Sequence, residues 1–397
     1  MRVLATGMEW FHENPGGLPR YFADYLDAWR RHDGDFKAVV QVRNRATLQD
    51  LPTDVRGVYS EQTDTLSIRR LWKTEIGAEL GQGKYDVWNP HFAYYAWGAM
   101  SHPALRDMPV VTHFHGPWAY ESAVEYSGVL KQVRFMLQKN IERRVYRQSD
   151  RFIVLSESFK QILIDNYHVP PRQIHVIPGG VDVDKFHPVT DREKVRFELG
   201  LPTHRTVLVC VRRLARRMGL ERLIQAVSSL AKDFSEILLV VVGTGELASE
   251  LRRLVDELHL EKHVIFAGRV SDDNLTKYYQ AANFSVVPSI SFEGFGLVTT
   301  ESLACGTPVV GTRVGGTQEI LQGLSPNLLV SGTEISDLVE GLGTVLSHPS
   351  EMPGPERCRE YVLENYTWDV IIPQIQSVFH SAIGVSAKQM AYVAAER

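Results

Sequence analysis

The sequence predicts an α/β protein of two Rossmann-like domains, on three observations. The chain has 397 residues, too many for one ordinary core and enough for two. Short apolar runs of strand length alternate with segments of helical period throughout. The alternation breaks once near the middle, in His175-Val-Ile-Pro178-Gly-Gly-Val-Asp-Val-Asp-Lys-Phe186-His-Pro188, where turn residues crowd together.

Taken in order, Arg2 to Ala5, Phe36 to Val42, Val110 to Phe114 and Phe152 to Leu155 read as strands of the first half. Thr206 to Val211, Ile237 to Val242, Val264 to Ala267, Phe284 to Pro288 and Pro308 to Gly311 read as strands of the second, with helices over Leu220 to Leu230 and Leu247 to Leu258. Near-continuous apolar strands between helices are the mark of parallel sheets covered on both faces. The expected domains are 1–186, 187–365 and a terminal segment 366–397. In that segment Tyr366 through Ile383 is helical with no following strand, and is expected to pack back across the domains.

Composition excludes several classes. Lys and Arg number 43 against 47 Asp and Glu, a net charge of −4, so no global charge favours nucleic acid. The three cysteines, Cys210, Cys305 and Cys358, form no Cys-x-x-Cys or Cys/His pattern, which fits a reduced cytoplasmic compartment. No apolar run reaches membrane-spanning length, and the strand-like Met1-Arg-Val-Leu-Ala-Thr-Gly7 lacks the apolar core of a signal peptide.

Open α/β sheets bind ligands beyond the carboxyl ends of their strands, so the polar turns there matter most. Five stand out. Glu13-Asn14-Pro-Gly16-Gly17-Leu-Pro-Arg20 places a glycine pair ahead of a helix, either a plain turn or a phosphate contact. Val111-Thr-His113-Phe-His115-Gly116 ends a strand in histidine; zinc is disfavoured because no third ligand accompanies His113 and His115. Arg212-Arg213-Leu-Ala-Arg216-Arg217-Met218-Gly219 gathers four guanidinium groups whose forks suit a diphosphate, or simply a solvated basic loop. Gly243-Thr-Gly245 permits close backbone approach.

The fifth turn constrains function most: Ser289-Ile-Ser-Phe-Glu293-Gly-Phe295-Gly296-Leu297-Val-Thr-Thr-Glu301 sets two carboxylates eight positions apart around a glycine-flanked helix start. Free N–H groups there favour an anion, and carboxylates suit sugar hydroxyls. Eight helical residues would span roughly 12 Å, about the distance from a ribose to a hexose across a diphosphate. Gly306, Pro308 and Val314-Gly315-Gly316-Thr317-Gln-Glu319 add further special-backbone positions. Asp182-Val-Asp184 matches a metal-holding Asp-x-Asp pattern but lies in the interdomain turn and is read as a turn. No Walker sequence and no Gly-x-Gly-x-x-Gly after the first strand is present, which argues against an NTPase or a dinucleotide enzyme.

On these residues the chain resembles the retaining glycosyltransferases of family 4, with the GT-B fold: two Rossmann-like domains facing across a cleft. The resemblance rests on Glu293 through Glu301 as the Glu-x7-Glu motif, on Ile177-Pro-Gly-Gly-Val-Asp182 with Phe186 and Pro188, and on Gly306-Thr-Pro-Val-Val310 followed by Gly315-Gly316. Weaker matches are Gly16-Gly17 with Arg20, His115-Gly116, Ser149-Asp150 leading to Ser158, Arg213-Leu214 and Gly243-Thr-Gly245. The resemblance implies a nucleotide-sugar donor on the C-terminal domain, UDP-sugar before GDP- or ADP-sugar, an acceptor approaching from the N-terminal domain, and no metal or other cofactor. It assigns Glu293 to the donor sugar, Glu301 to the ribose, Phe295, Gly296 and Leu297 to sugar or phosphate through their amides, Arg213 to the leaving diphosphate, His115 to the sugar and Gly17 to the phosphates. Gly243 joins the donor side, and Asn14, Arg20 and Tyr94 the acceptor side.

One departure matters. The family places a Lys five residues after the Arg of the basic turn, and here that residue is Met218. Arg217, or in second place Arg216, is expected to supply the missing cation. The family's Gly before the Arg is Arg212, whose direction sequence leaves open. Cations beside the phosphate stabilise the charge separated as the diphosphate departs. Retention would follow from same-face attack or from a covalent intermediate on Glu293 or another group.

The acceptor class implied is a glycan, lipid-linked or small molecule. Val129 through Arg147 forms a basic amphipathic helix, read first as a packed helix with a solvated cationic face and second as a peripheral contact at the inner face of a membrane. The aromatic stretch Trp88 to Trp97 is read first as core and second as an acceptor wall. The rival functions are a catalytically silent nucleotide-sugar-binding scaffold and another GT-B enzyme, such as a nucleotide-sugar epimerase or a phosphorylase.

Overall fold

The segment Ile237–Val242 reads Ile-Leu-Leu-Val-Val-Val, and a strand with no polar face is stable only when both faces are covered. In the computed structural model, which describes residues 1–14, 16–60, 65–125, 128 and 130–395, every residue of that strand is buried. The described strands are β1 (Arg2–Glu9), β2 (Asp35–Val42), β3 (Val55–Tyr59), β4 (Val87–Pro90), β5 (Val111–Phe114), β6 (Arg151–Val154), β7 (Ile174–Val176), β8 (Thr206–Val211), β9 (Ile237–Val242), β10 (Val264–Gly268), β11 (Phe284–Val287) and β12 (Val309–Gly311). They fall into two compact units, Met1–Gly180 with Trp368–Arg397, and Val181–Thr367.

In the first unit the strands run in the order β3-β2-β1-β4 and β5-β6-β7, all parallel. A parallel bridge between Trp88 and Val110 and the bond from the Trp88 amide to the Pro109 carbonyl (3.0 Å) join the two sets. The second unit is a parallel sheet ordered β10-β9-β8-β11-β12. In each sheet the chain winds outward from its first strand and then returns to that strand's other side. The topological switch points therefore lie between β1 and β4 and between β8 and β11.

The sequence reading placed the second sheet closely and missed β3, β4 and β7. Val55-Arg-Gly-Val-Tyr carries Arg and Gly, Val87–Pro90 ends in proline, and β7 runs into the start of the segment taken as interdomain turn. The boundaries also differ. The chain leaves the first unit after Gly180, so residues 181–186 and 366–367 belong to the second. There the Val181 amide donates to the Tyr366 carbonyl (2.8 Å), and buried Phe186 meets the Tyr279 ring. The last helix, Trp368–Ala395, is part of the first unit. Trp368 packs on Tyr21 and Tyr25, Phe379 packs on Trp29, and Gly180 leaves room for the Trp368 ring, which a Cβ would strike. Asp182 accepts from the amides of Asp184 (3.0 Å) and Lys185 (3.2 Å), which is the turn expected of Asp182-Val-Asp184.

The basic helix, Lys131–Tyr146, divides along its length. Ile141, Glu142, Val145 and Tyr146 are buried, whereas Leu130 just before it and Met136 and Leu137 within it are 75%, 56% and 62% exposed. Phe135, edge-on to Tyr120 (5.1 Å), and buried Gln138, which donates to the Ser122 hydroxyl (3.1 Å), carry the packing into the first half, where Met136 and Leu137 stay outside it. Val129, the first residue of the predicted helix, lies outside the described residues. Among the described residues no helix is long and apolar enough to cross a membrane.

Candidate active site

At the switch point of the second unit, the residues just past β8 and β11 converge. Arg212 follows β8; Ser289 and Glu293 follow β11. Arg212 donates through Nη2 to both the Ser289 hydroxyl and Glu293 Oε2, and the Ser289 hydroxyl donates to the same carboxylate oxygen (2.6 Å). The Arg212 and Glu293 side chains are only 6% and 10% exposed. Burial pushes the Glu293 carboxyl up, but Arg212, Ser289 and Arg217 together outweigh it and hold the group below the ordinary carboxylate range. Glu293 is thus a desolvated anion at neutral pH.

The backbone around Glu293 is tightly built. Phe292 sits at φ +50°, a conformation that costs a non-glycine residue of order 1 kcal/mol, and Arg217 Nη1 donates to its carbonyl (2.8 Å). The Gly316 amide donates to the Glu293 carbonyl (3.0 Å). Gly315, at φ +52°, lies so close to that carbonyl that a Cβ would collide with it. Gly296, at φ +90°, is the N-cap of the helix Leu297–Ala304 and offers no side chain to cap it. Only the residues from Leu297 onward are helical, so the span of roughly 12 Å reckoned for eight helical residues does not describe Glu293 to Glu301. Phe295 is buried with its ring on Tyr366, and Glu301 is buried and accepts from the Tyr279 hydroxyl (2.9 Å).

The basic turn separates its four arginines. Arg212 points inward, Arg213 is exposed, Arg216 reaches Glu221 (3.6 Å) and Glu250 (3.3 Å), and Arg217 faces the Phe292 turn. Met218 is buried. Gly243, at φ +135°, and Gly245 lie against the backbone of Arg212 and Leu214, where a Cβ would meet carbonyl oxygens. Loop packing alone therefore explains both glycines.

In the first unit, Gly17 opens the helix Gly17–Arg31 with nothing within 4 Å of where its Cβ would lie. Asn14 donates to Glu9, buried Arg20 stacks over the Phe11 ring (4.6 Å), and half-buried Tyr94 packs edge-on against Trp118 (5.3 Å). His113 and His115 extend from β5 with parallel rings 5.7 Å apart, and His91, just past β4, stacks on both. His91 and His113 are fully buried and His115 partly exposed. Burial pushes His115 down to about 3, and burial reinforced by mutual repulsion holds His91 and His113 well below the ordinary range, so all three are neutral at pH 7. Among the described residues no group of three His, Cys, Asp or Glu side chains is arranged to hold a metal ion.

Sequence reasoning missed Ser289, Tyr279, Asn89 and His91, and the direction of Arg212. Asn89-Pro-His91 at a strand end and Ser289 four residues ahead of Glu293 were the available signals.

Comparison with known proteins fits this geometry. Residues 15–185 match the family model described as Glycosyltransferase Family 4, and residues 191–364 the model described as Glycosyl transferases group 1. Over 377 residues the chain is 30% identical to the D-inositol 3-phosphate glycosyltransferase of Acidothermus cellulolyticus, covering 87% of this chain and 82% of that protein. It is 37% identical over 214 residues to the protein of the same name from Corynebacterium jeikeium, covering 52% of this chain and 51%, about half, of that relative. The structure of Anabaena HepE in complex with UDP-glucose superposes with a TM-score of 0.76 at 20% identity, covering 96% of this chain and all of the other (100%). Two models that together match most of the chain, and a relative matched over most of its length, lead to one conclusion: the chain belongs to glycosyltransferase family 4, has the GT-B fold and is a glycosyltransferase.

Proposed function

We propose that the protein transfers a hexosyl group from a UDP-sugar with retention at the anomeric centre and without a metal ion. The observation that carries this reading is the buried Arg212–Ser289–Glu293 cluster at the switch point of the second unit, just ahead of the helix Leu297–Ala304. Both bonds from protein donors fall on Oε2 of Glu293, so Oε1 is the oxygen to receive a sugar hydroxyl. The amides of Phe295, Gly296 and Leu297 meet sugar or phosphate oxygens, and Glu301, oriented by Tyr279, takes the ribose hydroxyls. Arg213 and Arg217 supply the positive charge that stabilises the departing diphosphate, with Arg217 in place of the family's lysine. In the first unit, Gly17 lets a phosphate approach the backbone and His115 accepts from a sugar hydroxyl.

UDP is favoured because HepE, a structural neighbour, is described in complex with UDP-glucose; GDP- and ADP-sugars are the alternatives. The relatives named D-inositol 3-phosphate glycosyltransferase support a small phosphorylated polyol as the first acceptor to try. The exposed apolar side chains at the start of the helix Lys131–Tyr146, beside Lys131 and Arg134, support a lipid-linked acceptor and contact with an anionic bilayer surface.

Calorimetric titration with UDP, GDP and ADP tests the donor reading. UDP is expected to bind tightest, and Glu301→Gln to weaken it about 10- to 100-fold, the worth of a hydrogen bond to a charged acceptor. Equal binding of UDP by both proteins would remove the ribose assignment.

A further inference from the structure

The three stacked histidines are joined by a hydrogen-bond chain whose direction can be read from one atom. The Asn89 side chain, fully buried, lies with one terminal atom 2.6 Å from the Val111 carbonyl. A backbone carbonyl only accepts, so that atom is the amide nitrogen and the amide orientation is settled. The other Asn89 atom is then the oxygen, which accepts from the Tyr25 hydroxyl (3.1 Å) and from Nε2 of His91 (2.8 Å). A neutral His91 that donates from Nε2 has a bare Nδ1, and this nitrogen lies 3.1 Å from Nε2 of His115. His115 must therefore donate from Nε2, which leaves its lone pair on Nδ1. The second amide hydrogen of Asn89 points to Nδ1 of His113 (3.0 Å), placing that ring's proton on Nε2 as well.

We infer that His91, oriented by Asn89, is a positioning residue that locks His115 as the Nε2–H tautomer, so that the ring presents Nδ1 purely as a hydrogen-bond acceptor. The inference rests on the reading of His115 as a sugar contact and extends it. A sugar hydroxyl must donate to this ring and cannot accept from it. The surroundings reinforce the lock: the Tyr21 ring meets His115 edge-on at 4.7 Å, and Phe22 and Tyr25 close on His91 at 4.7 and 4.9 Å. Rotation of either imidazole would have to displace aromatic rings buried in the core.

The test is long-range proton–nitrogen NMR of the full chain labelled with 15N-histidine, without ligand at pH 7, followed by kinetics. In the wild type His91, His113 and His115 are each expected as neutral Nε2–H tautomers. His91→Asn keeps an acceptor near the position of Nδ1 and should keep His115 in that form, with the donor KM unchanged. His91→Leu removes the acceptor; His115 should then populate Nδ1–H, and the donor KM should rise about tenfold, the worth of one neutral hydrogen bond, with rescue by Asn. His115 found as Nδ1–H in the wild type would overturn the relay whatever the kinetics, and this measurement needs no variant to fold. Expected tautomers with an unchanged KM in His91→Leu would leave the relay standing and refute the sugar contact of His115.

Discussion

Replacing Arg212 with Leu separates the electrostatics of the switch-point cluster from its packing. The two charged side chains are 6% and 10% exposed, so removal of the guanidinium strands a desolvated carboxylate, a loss of about 3–5 kcal/mol. The pH dependence gives the more specific test. In the wild type the Glu293 carboxyl is held below its ordinary value, so it adds stability above the unfolded value of about 4.3, and that stability is lost as the pH falls through the folded value. Without Arg212, burial loses its strongest opponent and the folded value rises, so acid protonates the stranded group and relieves the variant. The gap between the proteins should shrink from its full size at pH 7 towards about 1 kcal/mol, the loss of neutral hydrogen bonds, as the pH falls through the lowered folded value of the wild type. All seven tryptophans lie in the first unit, so urea unfolding must be followed by far-UV circular dichroism as well as by fluorescence to see the second. A gap under 1 kcal/mol at pH 7, or one that does not change with pH, would refute the reasoning.

Gly17→Ala should leave the melting temperature unchanged or slightly raised, because its Cβ meets open space, yet raise the donor KM about 10- to 100-fold by displacing a phosphate. Gly315→Ala should destabilise by more than about 1–2 kcal/mol, because its left-handed φ and the Glu293 carbonyl both oppose a Cβ; denaturant unfolding distinguishes the two glycines. Arg217→Ala should raise the donor KM about tenfold, and adding Met218→Lys should recover part of the loss; an unchanged KM in the single variant would show that Arg217 does not replace the lysine. Glu142, fully buried and pushed up to about 7 chiefly by burial, favours its protonated form in the folded state. Stability should therefore fall by about 3 kcal/mol as the pH rises from about 4.5 past 7, and Glu142→Gln should flatten that slope in fluorescence-monitored unfolding.

Much of the second unit was legible because its strands are unbroken apolar runs and its special-backbone glycines mark where chain meets chain. Glu293, Gly296, Glu301 and Gly315 stand out for those reasons. Other glycines carry less information: Gly243 was read for the donor side, and the packing of Gly243 and Gly245 on the backbone of Arg212 and Leu214 requires glycine there with or without a ligand. The first unit was harder. β4 ends in Asn89-Pro90, a polar and strand-breaking pair, so the anchor of the histidine chain lay hidden in a segment read for its aromatic rings. Arg212 also shows a limit of pattern reading, since two adjacent arginines look alike in sequence while one is buried on a carboxylate and the other exposed. The helix Lys131–Tyr146 shows the same limit, because amphipathic spacing does not reveal which turns find a partner.

The most direct test of the central claim is turnover. The protein is incubated with UDP-glucose, and in parallel with GDP- and ADP-sugars, together with inositol phosphate, simple sugar and lipid-linked acceptors, and the anomeric configuration of any product is read by NMR. Transfer from the UDP-sugar without added metal, giving a product of the donor's own anomeric configuration, is the predicted result. An inverted product, or donor binding with no transfer to any acceptor, would contradict it.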